Sequence, residues 1–212
     1  MLTRSSIKAV KTEFSNLKLQ GKHTMLANDV MRRIRYVFDF DDSKMIAVFG
    51  QANHMVNRAQ VSDWLKKEDD PAFKTCSDSE LAIFLNGLIN EKRGKKEGPQ
   101  PEPENRLTNN IIFMKLKIAL NLKAEEVLEL LALADFRISK HELSAFFRNP
   151  DHKNFRECND QVLRNFLSGM QLKYRKQPVS AKEQLSSEKQ VSPQSSGHNL
   201  YGAGKKKTKG DG

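Results

Sequence analysis

Two cysteines, Cys76 and Cys158, lie 82 residues apart, each three residues after a phenylalanine and two before an aspartate. A thiol could act as a nucleophile or as a zinc ligand. A nucleophile needs an imidazole within hydrogen-bond reach and a third group to orient it. The string "PDHKNFREC" places Asp151, His152 and Lys153 just before Cys158, but the matching loop "EDDPAFKTC" before Cys76 has no histidine. No glycine-rich oxyanion turn adjoins either cysteine. Structural zinc takes four nitrogen or sulfur donors. His23, His54, His141, His152 and His198 do not follow the cysteine repeat, and no C-x-x-C exists. The pair therefore reads as small buried side chains preceding helix caps. Glu68, Asp69 and Asp70 lack the alternating register of a calcium loop. Phosphate-cradling and dinucleotide glycine motifs are absent. No acid, base and nucleophile converge, so neither an enzyme nor a cofactor or metal is expected.

Cations offer the other chemistry. The stretch "SKMIAVFGQANHMVNRAQVSDWLKK" reads as helix, short turn, helix with a basic end. That is the order of a helix-turn-helix, whose second helix can enter a DNA groove. Arg58, Gln60, Asp63 and Lys67 would face outward there, with Lys140, His141, Glu142 and Arg148 in the second copy. A second basic set is Arg33 with Lys115 and Arg35 with Lys117, joined by Arg32 in the first copy alone. Such positions could touch phosphate or an acidic partner. A solvated helix face is the plainer reading of both sets, and helix-turn-helix spacing also occurs in ordinary bundles.

What must position these residues is a duplication. Residues 28–93 align with 110–175 at a constant offset of 82 without a gap. Identities include Asn28/Asn110, Ala52/Ala134, Ser62/Ser144, Phe73/Phe155, Cys76/Cys158 and Asp78/Asp160. Leu81/Leu163, Phe84/Phe166, Leu85/Leu167, Gly87/Gly169 and Arg93/Arg175 follow. Two copies are fewer than a solenoid needs, which predicts a compact pair with pseudo-twofold symmetry.

Each copy predicts four helices. In the first copy Leu26, Val30, Ile34, Val37 and Phe38 share one helical face. Asp42 or Ser43 would cap a second helix carrying Met45, Ile46, Val48 and Phe49. Asn57 would cap a third through Val61, Trp64 and Leu65. Ser77 or Asp78 would cap a fourth with Leu81, Phe84, Leu85, Leu88 and Ile89. The second copy repeats the plan with Ile112, Leu116 and Leu120; Val127, Leu128 and Leu131; Leu143, Phe146 and Phe147; and Leu163, Phe166, Leu167 and Met170. No strand pattern appears, so the expected fold is all-α. The divisions are 25–94 and 108–176 as helical repeats, and 95–107 as a flexible linker rich in Pro, Gly and charge. Residues 1–24 form an N-terminal extension, and 177–212 a basic tail expected to be disordered.

The net charge is +10, but residues 25–176 hold only +3 of it. A basic tail binds polyanions weakly and without sequence preference. No run of 18 apolar residues exists, so no membrane span is expected. The N-terminus lacks a secretory h-region, and two cysteines fit a reducing cytoplasm.

The strings "MLANDVMRRIRYVF", "WLKKEDDPAF", "FLNGLINEKRGKKEG", "PEPENRLTNNIIFMKLKIAL" and "PDHKNFREC" resemble the YehS-like bacterial family, a domain of unknown function. The match spans about residues 25–176. The resemblance implies a tandem helical protein of a bacterial cytoplasm and supplies no catalytic residues. It also implies a start near Met25, which makes residues 1–24 an extension or an upstream start. The expected function is a non-enzymatic cytoplasmic binding or adaptor module. DNA or RNA is its most concrete partner, and a protein–protein interaction module is the alternative.

Overall fold

The structure is a computed structural model that describes residues 25–175. Eight helices make up the described chain: α1 (Ala27–Phe38), α2 (Asp42–Gln51), α3 (Arg58–Leu65), α4 (Asp78–Arg93), α5 (Asn109–Ala119), α6 (Ala124–Leu133), α7 (Lys140–Phe146) and α8 (Asp160–Tyr174). No strand occurs among the described residues. The all-α duplication is thus present as two sets of four helices in the same order. The tails expected at 1–24 and 177–212 lie outside the described residues.

Local chemistry sets most helix starts. Asn57 accepts the Gln60 N–H at 2.9 Å, while the Gln60 side chain accepts the Asn57 N–H at 2.9 Å. Ser77 with Glu80 and Ser139 with Glu142 build the same reciprocal capping box. Asp41, not Asp42 or Ser43, caps α2 by accepting the Lys44 N–H at 2.7 Å. Asp42 is left free to pair with Arg35. Helices α1 and α2 end in left-handed residues at Asp39 and Asn53, and their counterparts Asn121 and Asp135 share that conformation. Asn and Asp tolerate it because their short polar side chains bond locally.

Two repeated residues fix each copy internally. Asn28 Nδ2 donates to the carbonyls of Trp64 at 2.9 Å and Lys74 at 2.8 Å, and its Oδ1 accepts the Cys76 N–H at 2.9 Å. Asn110 makes the same three bonds to Phe146, Arg156 and Cys158. One side chain on the first helix thus pins the end of the third helix and the loop behind it. Gly87 and Gly169 permit the close crossing of the second and fourth helices. A Cβ at Gly87 would lie 1.9 Å from the Val48 oxygen, and one at Gly169 would lie 1.8 Å from the Leu130 oxygen.

The copies share one core. Helix α5 packs on α4 and α1 packs on α8, so the first helix of each copy lies against the fourth helix of the other. Asp78 Oδ2 accepts the Leu107 N–H at 2.9 Å, and Asp160 Oδ1 accepts the Met25 N–H at 3.1 Å. Each fourth helix therefore holds the chain entering the other copy's first helix. Fully buried Phe49, Phe84, Phe113 and Phe166 anchor the core, with Met31, Ile34 and Leu116 beside them. Removing this apolar surface from water is the main drive for the copies to associate.

Several details depart from the helical patterns. Leu26 is 42% exposed because it precedes the first turn, and Met25, Ala27 and Met31 are buried instead. Leu130 is buried more deeply than Leu128. The segment 95–107, expected as a flexible linker, is held as a strap along α4. Pro101 O accepts from Asn86 Nδ2 at 3.5 Å, Gln100 Oε1 accepts from Asn90 Nδ2 at 2.9 Å, and Leu107 is buried. The Pro101 carbonyl, the Gln100 side chain and a terminal leucine anchor this polar sequence despite its composition.

Candidate binding surfaces

The two cysteines are buried and unpaired. Burial pushes each thiol up to about 12, helped by Glu80 and Asp78 near Cys76 and by Asp160 near Cys158. Each sulfur lies near the carbonyl of the next residue, at 3.6 Å from Ser77 O and 3.7 Å from Asn159 O. His152 is exposed, and its Nδ1 accepts the Asn154 N–H at 3.1 Å within its own loop. No thiol–imidazole pair is made among the described residues. No cluster of three or more potential metal-ligating side chains occurs among the described residues. Asp70 Oδ1 accepts the Ala72 N–H at 2.8 Å, so its carboxylate orders the acidic loop.

The third helices carry mixed charge, part of it ion-paired. Asp63 meets Lys66 at 2.9 Å and Lys74 at 2.8 Å, and these lysines hold its carboxyl below its ordinary range, Lys74 foremost. Lys140 pairs with Glu125 at 2.5 Å, which lowers the Glu125 carboxyl. Glu142 is lowered chiefly by the Ser139 backbone and hydroxyl, then by Arg156 at 3.1 Å. Arg58 is exposed and donates to Ser43 Oγ at 3.2 Å. Lys67 is exposed, and half-buried Arg148 donates to Asn154 O at 3.4 Å. These cations belong to two mixed-charge faces and are not gathered into one.

The repeated basic positions of the first helices diverge. Arg35 pairs with Asp42 at 2.9 Å and donates through Nε to Phe40 O at 3.0 Å. Its counterpart Lys117 lies 5.7 Å from the centre of the Phe147 ring. Arg33 is half-buried with no ion pair among the described residues. Lys115, expected as a surface contact, is instead buried. Its Nζ bonds Glu104 at 2.9 Å and Asn86 at 2.5 Å, because α5 lies under the strap and against α4. A buried ammonium requires such partners.

The structure joins Arg32 and Arg35 to residues that the sequence did not single out as binding positions. Arg32, Arg35, Tyr36, Phe40, Leu65 and Arg175 line an open groove of about 360 Å³ where α1 ends beside α8. The Arg175 guanidinium sits 3.3 Å from the centre of the Tyr36 ring and donates to Tyr36 O at 2.8 Å. Arg32 pairs with Asp29 and donates to the Lys66 carbonyl. Besides the candidate cations Arg32 and Arg35, the sequence marks this groove by the recurrence of Arg93 as Arg175, while Tyr36 has no aromatic counterpart at Ile118.

Among the described residues no helix is long and apolar enough to cross a membrane. A family model described as a protein of unknown function, DUF1456, matches residues 27–94 and again 109–176. The uncharacterised protein YehS of Escherichia coli (strain K12) is 46% identical over 147 residues, which are 69% of this chain and 94% of that protein. No solved structure matches.

Proposed function

The chain belongs to the DUF1456 family as two tandem domains, and on that premise we propose that it is a non-enzymatic binding or adaptor module. Its binding surface is the groove at the joint between the copies, and its partner is another protein. The supporting observation is the stack of Arg175 on exposed Tyr36, which draws one residue from each copy into a single groove. Tyrosine and arginine dominate protein-binding hot spots because they combine large apolar area with directed donors. A guanidinium on an aromatic face is already oriented, so little side-chain entropy is lost on binding. Two unpaired thiols suit action in a reducing cytoplasm.

Nucleic acid is the second reading. Guanidinium groups and a tyrosine ring suit a phosphate and a stacked base, whereas the third-helix faces mix their cations with carboxylates such as Asp63, Glu125 and Glu142. Cross-linking in cells through a photo-reactive residue at the exposed Asp39 position separates the two. A polypeptide adduct lost in folded Tyr36→Ala and Arg175→Ala variants supports the protein partner. A nucleic-acid adduct with the same dependence supports the second reading. No adduct, or adducts indifferent to both substitutions, overturns the groove.

A further inference from the structure

The strap along α4 has no described counterpart along α8. Over α4, Glu104 reaches Lys115 at 2.9 Å, while Ser79 Oγ lies 3.2 Å from Asn105 Oδ1. Prolines 101 and 103 close a crevice of about 70 Å³ against Ile83 and Ile89. The middle of the strap, Pro101–Asn105, thus carries two glutamates and two prolines, with Glu104 read by one lysine from the first helix and the stretch laid on the polar outer face of a fourth helix. Proline suits this task because its fixed φ makes an extended segment cheap to order.

The 82-residue offset turns this arrangement into a question about α8. Lys115 corresponds to Arg33, Asn86 to Ser168, and Ala82 to Arg164. Arg33 and Arg164 are half-buried, and neither has a carboxylate within ion-pair distance among the described residues. Ser168 is half-buried and spends its hydroxyl proton on Arg164 O at 2.8 Å. Leu172, at the place of Asn90, is 53% exposed. The outer face of α8, which has no strap among the described residues, thus gains a cation where α4 has alanine, and it keeps the cation that reads the strap's glutamate.

We infer that the outer face of α8, flanked by Arg33 and Arg164, docks an acidic, extended, proline-bearing segment of a partner protein, laid across α8 as Pro101–Asn105 is laid across α4. The inference deepens the adaptor reading and rests on it, since it names the chemistry of the partner. Arg33 and Arg164 would each receive a carboxylate, and Leu172 would take an apolar side chain or a proline ring. Guanidinium and carboxylate form paired, charge-assisted bonds. Arg33 is one helical turn before Tyr36, so a segment on this face would run toward the groove at the joint.

The chain supplies its own probe. A synthetic peptide of residues 98–106, GPQPEPENR, is titrated into the isotope-labelled full-length protein, and backbone amide shifts are followed. Weak saturable binding is expected, because a covalently tethered strap works at an effective concentration on the order of millimolar. Shifts should centre on Arg33, Arg164, Ser168 and Leu172. Arg33→Gln and Arg164→Gln should each weaken binding about fivefold or more, and they lie on different helices in case one disturbs folding. The peptide GPQPQPQNR should bind several-fold more weakly, while Arg33→Glu should favour GPQPKPKNR.

Absence of saturable shifts overturns the inference, as does equal binding of the glutamine peptide. Shifts confined to Asn86 and Lys115 mean exchange with the existing strap and also overturn it. An oligonucleotide that binds the same residues more tightly than the peptide assigns the face to nucleic acid instead. Shifts confined to Tyr36 and Arg175 overturn the α8 site but leave the groove at the joint standing.

Discussion

Asn28 holds Cys76: the Asn28 Oδ1 accepts the Cys76 backbone N–H at 2.9 Å, and Asn110 holds Cys158 at the same distance. The identity that recurs at the cysteines is thus tied to an identity that recurs 48 residues earlier, through a backbone bond and not through sulfur. Each asparagine also takes two carbonyls, so its loss strands three polar groups, buried or part-buried around Asn28 and more open around Asn110.

Replacing Asn28 with Ala should destabilise the protein by about 3 kcal/mol, since stranded buried groups cost roughly 1–3 kcal/mol each and water reaches some of them. Asn28→Asp should be no better, because a carboxylate oxygen would then face the Trp64 and Lys74 carbonyls. Denaturant unfolding measures both. A loss under about 0.5 kcal/mol would show that the loop reorganises around the gap.

Gly87→Ala and Gly169→Ala should each cost about 3 kcal/mol, because the new Cβ meets a backbone oxygen that cannot swing aside. Gly50→Ala is the control of opposite sign. A Cβ there meets open space within α2, so the exchange should stabilise by about 0.5–1 kcal/mol. Thermal melts of the three variants test the ranking, and an unchanged melting temperature for Gly87→Ala would contradict the close crossing.

Both thiols have folded-state values raised from 9.0 to about 12. A raised folded value means that the unfolded chain releases its proton first as pH rises. The contribution of each thiol to stability is therefore full below about pH 9 and lost as pH approaches about 12. Native protein should resist thiol-specific labelling near pH 8 and label fully in denaturant. Rapid native labelling at pH 8 would mean that the thiols are reached through local opening.

The exchanged packing of first and fourth helices predicts that one copy is incomplete. A fragment of residues 25–94 leaves the faces of α1 and α4 that meet α8 and α5 without their covers. It should be poorly structured when dilute, or pair with a second fragment as the concentration rises. Circular dichroism and sedimentation across concentrations check this. A cooperative monomer at micromolar concentration would refute the dependence.

The duplication was the strongest signal in the chain, and it carried helix number and order. Caps at Asn57 and Ser77 were legible because the capping side chain is local. Asp41 was missed in favour of its neighbours because three adjacent residues can all cap, and only the pairing of Asp42 with Arg35 separates them. The cysteines were legible as buried groups. The cations were not sorted correctly by pattern, since Lys115 and Arg33 look alike in sequence and differ only in whether Glu104 reaches them. The groove of Tyr36 and Arg175 joins residues 139 positions apart, and no local periodicity reports such a meeting.

The reciprocal holds of Asp78 on Leu107 and Asp160 on Met25 describe what two identical subunits would do to each other across a dyad. In a symmetric pair of separate subunits every mutation is written twice, so a groove cannot be altered on one side alone. Joining the halves in one chain removes that constraint. One flank can spend its groove on permanent closure by the connector, while the other evolves toward something outside. Arg164 opposite Ala82, and Tyr36 opposite Ile118, are the record of that freedom.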